Sequence, residues 1–293
     1  MEPLFPPFEP GERKSGTSRR QRRFNRLPLR IILPNLVTLL ALCSGLTAIR
    51  LALETRFELA IVAILVAGVL DGVDGRLARM LKGTSEFGAE LDSLADFVNF
   101  GVAPAIILYT WGLQEAGSLG WIAVLVFAIS TGLRLARFNV MRDDPGKPSW
   151  HADFFVGMPA PAGALTVLLP VYLYFLDLLP QSVAIIPPVI GYILFVAFMM
   201  VSRLPTFSGK RIGARIQREH VLPILVAIVV VVGVVISYPF ASLALVVFGY
   251  LATLPFAWRS WHKKAAAMAD GTLVDDIDDG ADDTDDDDEA AKS

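Results

Sequence analysis

The sequence predicts an all-α integral membrane protein with about eight transmembrane helices. Three observations carry that prediction. The chain of 293 residues is 54% hydrophobic and 19% charged, against roughly 25% charged in soluble domains. Apolar segments recur at about the 20-residue length that a hydrocarbon core requires. The connections between them alternate between rich and poor in Lys and Arg, as expected when basic loops stay on the cytoplasmic side.

Residues 1–30 are rich in Pro, Gly, Ser and Arg without apolar periodicity, and predict a disordered cytoplasmic leader. Its basic part (Arg13, Lys14, Arg19, Arg20, Arg22, Arg23, Arg26, Arg30) is suited to anionic lipid head groups, at about 1 kcal/mol per residue near the surface. Nucleic-acid binding is the rival use of such a run. No nucleic-acid module accompanies it, so membrane lipid is the expected partner. A signal peptide is disfavoured because no small-residue cleavage site and soluble body follow the first apolar segment.

Spans are expected near 32–50, 58–79, 88–112, 119–140, 160–180, 183–202, 221–238 and 239–257, the last two as a tight hairpin around Pro239. The basic residues fall in the leader, then at Arg76, Arg79 and Lys82, at Arg134, Arg137, Arg142 and Lys147, between Arg203 and Arg218, and after Arg259. Of the intervening connections only the first carries a basic residue, Arg56, which places both termini in the cytoplasm. The predicted organisation is a leader (1–30), a six-helix catalytic core (31–202), a basic cytoplasmic loop (203–220), a two-helix hairpin (221–258) and a disordered acidic tail (259–293). Between Asp275 and Glu289 that tail holds eleven acidic residues, and like charges keep it extended. The connection 141–157, with Trp150, Phe154 and Phe155, suits an interfacial segment. Cys43, the single cysteine, excludes an internal disulfide framework and a Cys-rich zinc site. His151, His220 and His262 lack metal-ligand spacing and are expected at the surface.

The chemistry concentrates between Leu70 and Gly101. Asp71 and Asp74 are spaced i,i+3, Asp92 and Asp96 i,i+4, and each pair shares a helix face. Antiparallel packing of the two helices brings four carboxylates together, an arrangement that is costly near lipid without cations. Oxygen ligands without His or Cys favour Mg²⁺ or Mn²⁺ over zinc. Asp71, Asp74 and Asp92 are the natural metal ligands; Asp96 is placed either to bridge metals or to take a proton. Gly72, Gly75 and Gly88 leave the backbone open to a nucleotide or a neighbouring helix. Arg79 is placed either to contact a phosphate or to balance an aspartate. Intramembrane ion pairs using Arg76, Arg79 and Lys82 are the structural alternative, and a cation transporter is the functional one.

Asp71, Asp74, Gly75, Ala78, Arg79, Gly88, Asp92 and Asp96 together resemble the signature of the CDP-alcohol phosphotransferase family at each of its positions. The resemblance implies a six-helix core to which the hairpin is an addition. It implies transfer of a phosphatidyl or related group from a CDP-linked donor to an alcohol, with release of CMP and two divalent ions at the site. It assigns Asp96 the proton of the acceptor hydroxyl, and places Gly72, Gly75, Ala78, Arg79, Gly88, Asn35 and Thr38 around the CDP donor. Asn35 and Thr38 serve equally well as helix-packing polar residues. A homodimer is implied by the resemblance alone.

Softer matches point to the acceptor. Pro34–Thr38, Leu133–Asn139, Phe155–Ala162 and Ser202–Ser208 look like the corresponding stretches of the bacterial, serine-accepting members of this family. Serine carries a carboxylate, which suits the guanidinium groups of Arg134 and Arg137 at i,i+3, with Asn139 beside them. Helix-end anchoring and phosphate binding are the other uses of those arginines. The expectation is therefore CDP-diacylglycerol and L-serine as substrates, with glycerol phosphate, inositol phosphate or choline as alternative acceptors. The bacterial cytoplasmic membrane is the expected location.

Overall fold

The computed structural model describes residues 29–81, 83, 85–142, 154–180, 182–202, 205–207 and 221–269. The leader up to residue 28, most of the 203–220 loop, the acidic run from 270 onward, and His151 and His220 lie outside the described residues.

Helices α1 (Leu29–Leu53) and α2 (Phe57–Met80) form an antiparallel pair. Small residues make their close approach possible: Ala41, Ala48 and Ala52 on α1 and Ala60 and Ala67 on α2 are at most 1% exposed. The turn between them passes through Thr55 in the left-handed region, φ 60°, and Arg50 pairs with Glu54 beside it at 2.8 Å.

After a short connection, α3 (Glu86–Asp96) begins at an N-cap, Ser85, whose hydroxyl accepts from the Gly88 amide at 3.0 Å. The helix runs through a π-helical turn (Phe97–Val102) into α4 (Ala103–Trp111), one continuous apolar rod. Helix α5 (Ser118–Arg142) packs along α8 (Ile186–Val201). Between them, the span expected at 160–180 is two pieces, α6 (Ala160–Val167) and α7 (Leu169–Phe175). Pro170 explains the break: it lacks an amide hydrogen, and its ring crowds the carbonyl one turn back. Helix α7 stops at Phe175, where the chain turns through Asp177 at φ 57°.

One departure from an all-helical chain is a three-residue antiparallel ladder, β1 (Phe154–Val156) against β2 (Pro205–Phe207), registered Phe154↔Phe207. Gly157 follows at φ 79°, where a Cβ would approach the Ser202 and Met200 carbonyl oxygens at 2.8 and 3.0 Å, so only glycine suits this crossing. Helix α9 (Val221–Ser237) and α10 (Pro239–Ala269) form the C-terminal hairpin. Helix α10 continues well past residue 257, where the sequence pattern ended its last span.

Five helical stretches among the described residues are long and apolar enough to cross a membrane: Ile32–Leu53, Glu86–Trp111, Ser118–Val140, Val183–Val201 and Pro239–Phe256. The other three expected spans depart from that standard for separate reasons. Helix α2 carries Glu58, Asp71, Asp74, Arg76 and Arg79, the 160–180 segment is broken, and α9 has 17 residues. The outward faces are apolar: Leu36, Leu40, Leu46 and Val229 to Val232 are all about half exposed or more, as a lipid-facing surface requires.

Candidate active site

Helix direction alternates along the bundle, so one end collects the start of α1, the ends of α2, α5 and α8, and the start of α3. The sequence-predicted site residues lie on these segments, except Asp96, which closes α3. On α2, Asp71 and Asp74 face the helix that bears Asp92, and one carboxylate oxygen from each of the three lies within 4.8 Å of the others. Three converging hard oxygen donors without His or Cys fit a divalent cation of the Mg²⁺ or Mn²⁺ type. Asp74 is 4% exposed, and the Thr38 hydroxyl of α1 donates to its Oδ2 at 2.6 Å. A hydroxyl held against a metal-ligand carboxylate fixes its orientation.

Asp96 stands outside that triad. Its carboxyl group lies against that of Asp71, in the field of Asp92 and Arg134, and its Oδ1 is buried without a hydrogen-bond partner. Among the described residues no Lys or Arg forms an ion pair with Asp71, Asp74 or Asp96; Lys82, one of the cations of the ion-pair alternative, lies outside the described residues.

A cavity of about 520 Å³ adjoins the triad. Asn35, Thr38, Asp74, Gly75, Ala78, Gly88 and Asp92 line it, joined by Pro34, Gly83, Ser85, Glu86 and Ala89. A Cβ at Gly75 or Gly72 would meet nothing within 4 Å, so this face of α2 is open. Gly88 differs: a Cβ there would sit 2.8 Å from Asn35 Oδ1, so its role is the close approach of α3 to α1. Gly72 and Arg79 are outside the cavity lining, and Arg79 Nε donates to the Gly75 carbonyl at 3.1 Å.

The three residues expected around the acceptor separate. The Arg134 Nε is buried without a hydrogen-bond partner, and its guanidinium carbon lies 5.9 Å from the Phe138 ring centre. Arg137 Nη1 donates to the Val201 carbonyl at 2.7 Å, closing the C-terminus of α8. Asn139 Nδ2 donates to Ser93 Oγ at 2.9 Å, tying α5 to α3 between Asp92 and Asp96. The expected arginine pair is therefore one arginine beside Asp96 and one that anchors a helix end.

Sequence reasoning passed over Ser85, Glu86, Ser93, Asn99 and Tyr250. Ser followed by Glu before a periodic run is an N-cap signal, and Asn99 is a polar residue in an apolar stretch. Tyr250 of α10, which bears electrostatically on Arg134, has no local signal.

A family model described as CDP-alcohol phosphatidyltransferase matches residues 31–269. The chain belongs to the CDP-alcohol phosphatidyltransferase family. The match spans the C-terminal hairpin as well as the first six helical segments. Three relatives carry the name CDP-diacylglycerol–serine O-phosphatidyltransferase. The protein of Mycobacterium leprae is 40% identical over 242 residues, 80% of this chain and 78% of its own. That of Mycobacterium bovis is 38% identical over 231 residues, 78% and 79%, and that of Helicobacter pylori strain J99 36% over 183 residues, 60% and 73%. With the five apolar helices, membership of this membrane-enzyme family makes the chain an integral membrane protein. Divalent metals are general in the CDP-alcohol phosphatidyltransferases, and the Asp71–Asp74–Asp92 cluster fits that use.

Proposed function

We propose that this protein transfers the phosphatidyl group of CDP-diacylglycerol to the hydroxyl of L-serine, giving phosphatidylserine and CMP. The observation that carries the reading is the convergence of Asp71, Asp74 and Asp92 beside an open cavity, with Asp96 and Arg134 next to them. Relatives of 36–40% identity named for this reaction support it.

The three carboxylates would hold divalent ions, Mg²⁺ or Mn²⁺ and two per site, with Asp96 beside them. When bound, such ions neutralise charge on the pyrophosphate and on departing CMP. The open α2 face at Gly72 and Gly75, with Ala78, Asn35 and Thr38, seats the cytidine diphosphate part of the donor, and Arg79 lies at its outer edge near phosphate. Gly88 permits the α1–α3 approach that closes this seat.

Arg134 pairs with the serine carboxylate, which brings the serine Oγ towards Asp96. Asp96 takes the proton as Oγ attacks the phosphatidyl phosphorus, and the bond to CMP breaks on the opposite side. Arg137 and Asn139 support this wall from α8 and α3. The site faces the cytoplasm, where serine and CDP-linked donor meet, in an inner membrane with both termini inside. The protein works as a homodimer. The 1–30 leader, 31–202 core, 203–220 loop, 221–258 hairpin and 259–293 tail divide the chain.

Membranes containing the protein, supplied with CDP-diacylglycerol, Mg²⁺ or Mn²⁺ and separately labelled serine, glycerol phosphate, inositol phosphate and choline, test the acceptor. Phosphatidylserine with stoichiometric CMP is the expected product. Product from glycerol phosphate and none from serine overturns the assignment.

A further inference from the structure

Directly after Asp96 the chain makes a π-helical turn, Phe97–Val102, and such turns inside α-helices often mark functional sites. A π-turn accommodates one residue more than the α-helical ladder, and it persists where its surroundings determine it. Three helices do so here. Asn99 is fully buried, and neither its Nδ2 nor its Oδ1 has a hydrogen-bond partner. Its amide lies over Gly45 of α1 so closely that a Cβ on Gly45 would overlap Oδ1. Phe100 lies 3.6 Å from the Cβ position of Gly68 on α2, one turn before Asp71. On the α5 side, Thr131 Cβ lies 3.1 Å from the Cβ position of Gly101, and Phe97 lies 3.2 Å from that of Gly132. Thr131 is itself held, donating to the Phe127 carbonyl at 3.1 Å.

We infer that Asn99, seated on Gly45, is a positioning residue whose steric fit to that glycine, rather than its polarity, fixes the register of the π-turn and so the direction of the Asp96 carboxylate. Asn99 is the one polar side chain in the turn. Burying an amide without partners is unfavourable, and the close fit to a glycine shows where its shape is used. Collapse of the π-turn to an α-turn would rotate Asp96 relative to α4 by about 100°, one residue's worth of helix. That removes Asp96 from Asp71 and from Arg134 together. The inference rests on the reading of Asp96 as the base.

Gly45→Ala tests it, with Gly45→Ala/Asn99→Ala and Asp96→Asn alongside, each purified in detergent and assayed for kcat, serine KM and metal-dependent binding of CDP-diacylglycerol. Gly45→Ala displaces the Asn99 amide and is expected to lower kcat roughly ten- to a hundredfold, the scale of a small misplacement of a catalytic group. Serine KM stays within about twofold, because Arg134 is on α5, and donor binding falls less than kcat, because the Gly88–Asn35 contact and the Asn139–Ser93 hydrogen bond hold α3 around Asp92. In the double variant the new methyl occupies the space that the amide leaves, and most of the kcat returns. Wild-type kcat in Gly45→Ala overturns the inference. So does a loss that the second substitution fails to restore, or one shared equally by donor binding. Full activity in Asp96→Asn overturns the reading of the base and the inference with it. An inactive Asp96→Asn beside a fully active Gly45→Ala overturns the positioning role alone.

Discussion

Arg134 and Arg137 are one turn apart on α5, yet their guanidinium groups meet different partners. Arg137 satisfies the Val201 carbonyl, one of the orphan acceptors that end every helix. Arg134 keeps a buried Nε without a hydrogen-bond partner beside Asp96, and the serine carboxylate of the proposed function would supply the acceptor. Arg134→Ala is expected to raise the serine KM about tenfold or more, while the donor KM changes little, since a charge-assisted hydrogen bond to a carboxylate contributes about 1.5–3 kcal/mol. Arg137→Ala is expected to lower the unfolding temperature with serine KM near wild type. Steady-state kinetics against both substrates, with thermal unfolding in detergent, separates the two. At this scale the aspartates were legible because i,i+3 and i,i+4 spacing determines a helix face. The division between the arginines was not, because the Val201 partner lies 64 residues away and spacing on α5 is blind to it.

Helix α3 carries half of the carboxylates and depends on its first turn. The Ser85 hydroxyl is the cap that holds the Gly88 amide, and Gly88 is where α3 nearly touches Asn35 of α1. Ser85→Ala should therefore cost about 1 kcal/mol, read as roughly fivefold faster hydrogen exchange at the Gly88 amide and a lower unfolding temperature. An unchanged exchange rate would show that α3 is held by packing alone. The existence of the long apolar elements was readable from composition, whereas their interruptions were less so. Pro170 announces the α6–α7 break by the chemistry of its ring. The π-turn announces nothing, because its extra residue is accommodated by glycines on α1, α2 and α5 that are remote in sequence. The same holds for the β1–β2 ladder, which joins connections some 50 residues apart.

On the scale of the whole molecule, function depends on helices that are apolar outward and bring their polar residues to one end. The proposed function puts a divalent metal at that end. Removal of divalent ions with a chelator is expected to abolish CMP release, and added Mg²⁺ or Mn²⁺ to restore it, while Ca²⁺ at the same concentration does not. Activity that survives exhaustive chelation would refute the metal role of Asp71, Asp74 and Asp92. The composition made the membrane class legible, and the aspartate spacing made the metal chemistry legible. The electrostatic reach of Tyr250 to Arg134 was not, since α10 is brought there by packing on α7, α6 and β2 that no local pattern encodes.

The expected failure of Ca²⁺ has its cause in the Thr38 hydroxyl. By donating to Asp74 Oδ2, it engages one oxygen of that carboxylate, which would favour binding of an ion through the other oxygen alone. Ca²⁺ takes six to eight oxygens and often grips carboxylates through both. Mg²⁺ holds to six ligands in near-octahedral array and accepts single-atom carboxylates readily. A threonine on a different helix would thus let α1 bias the site by ion size.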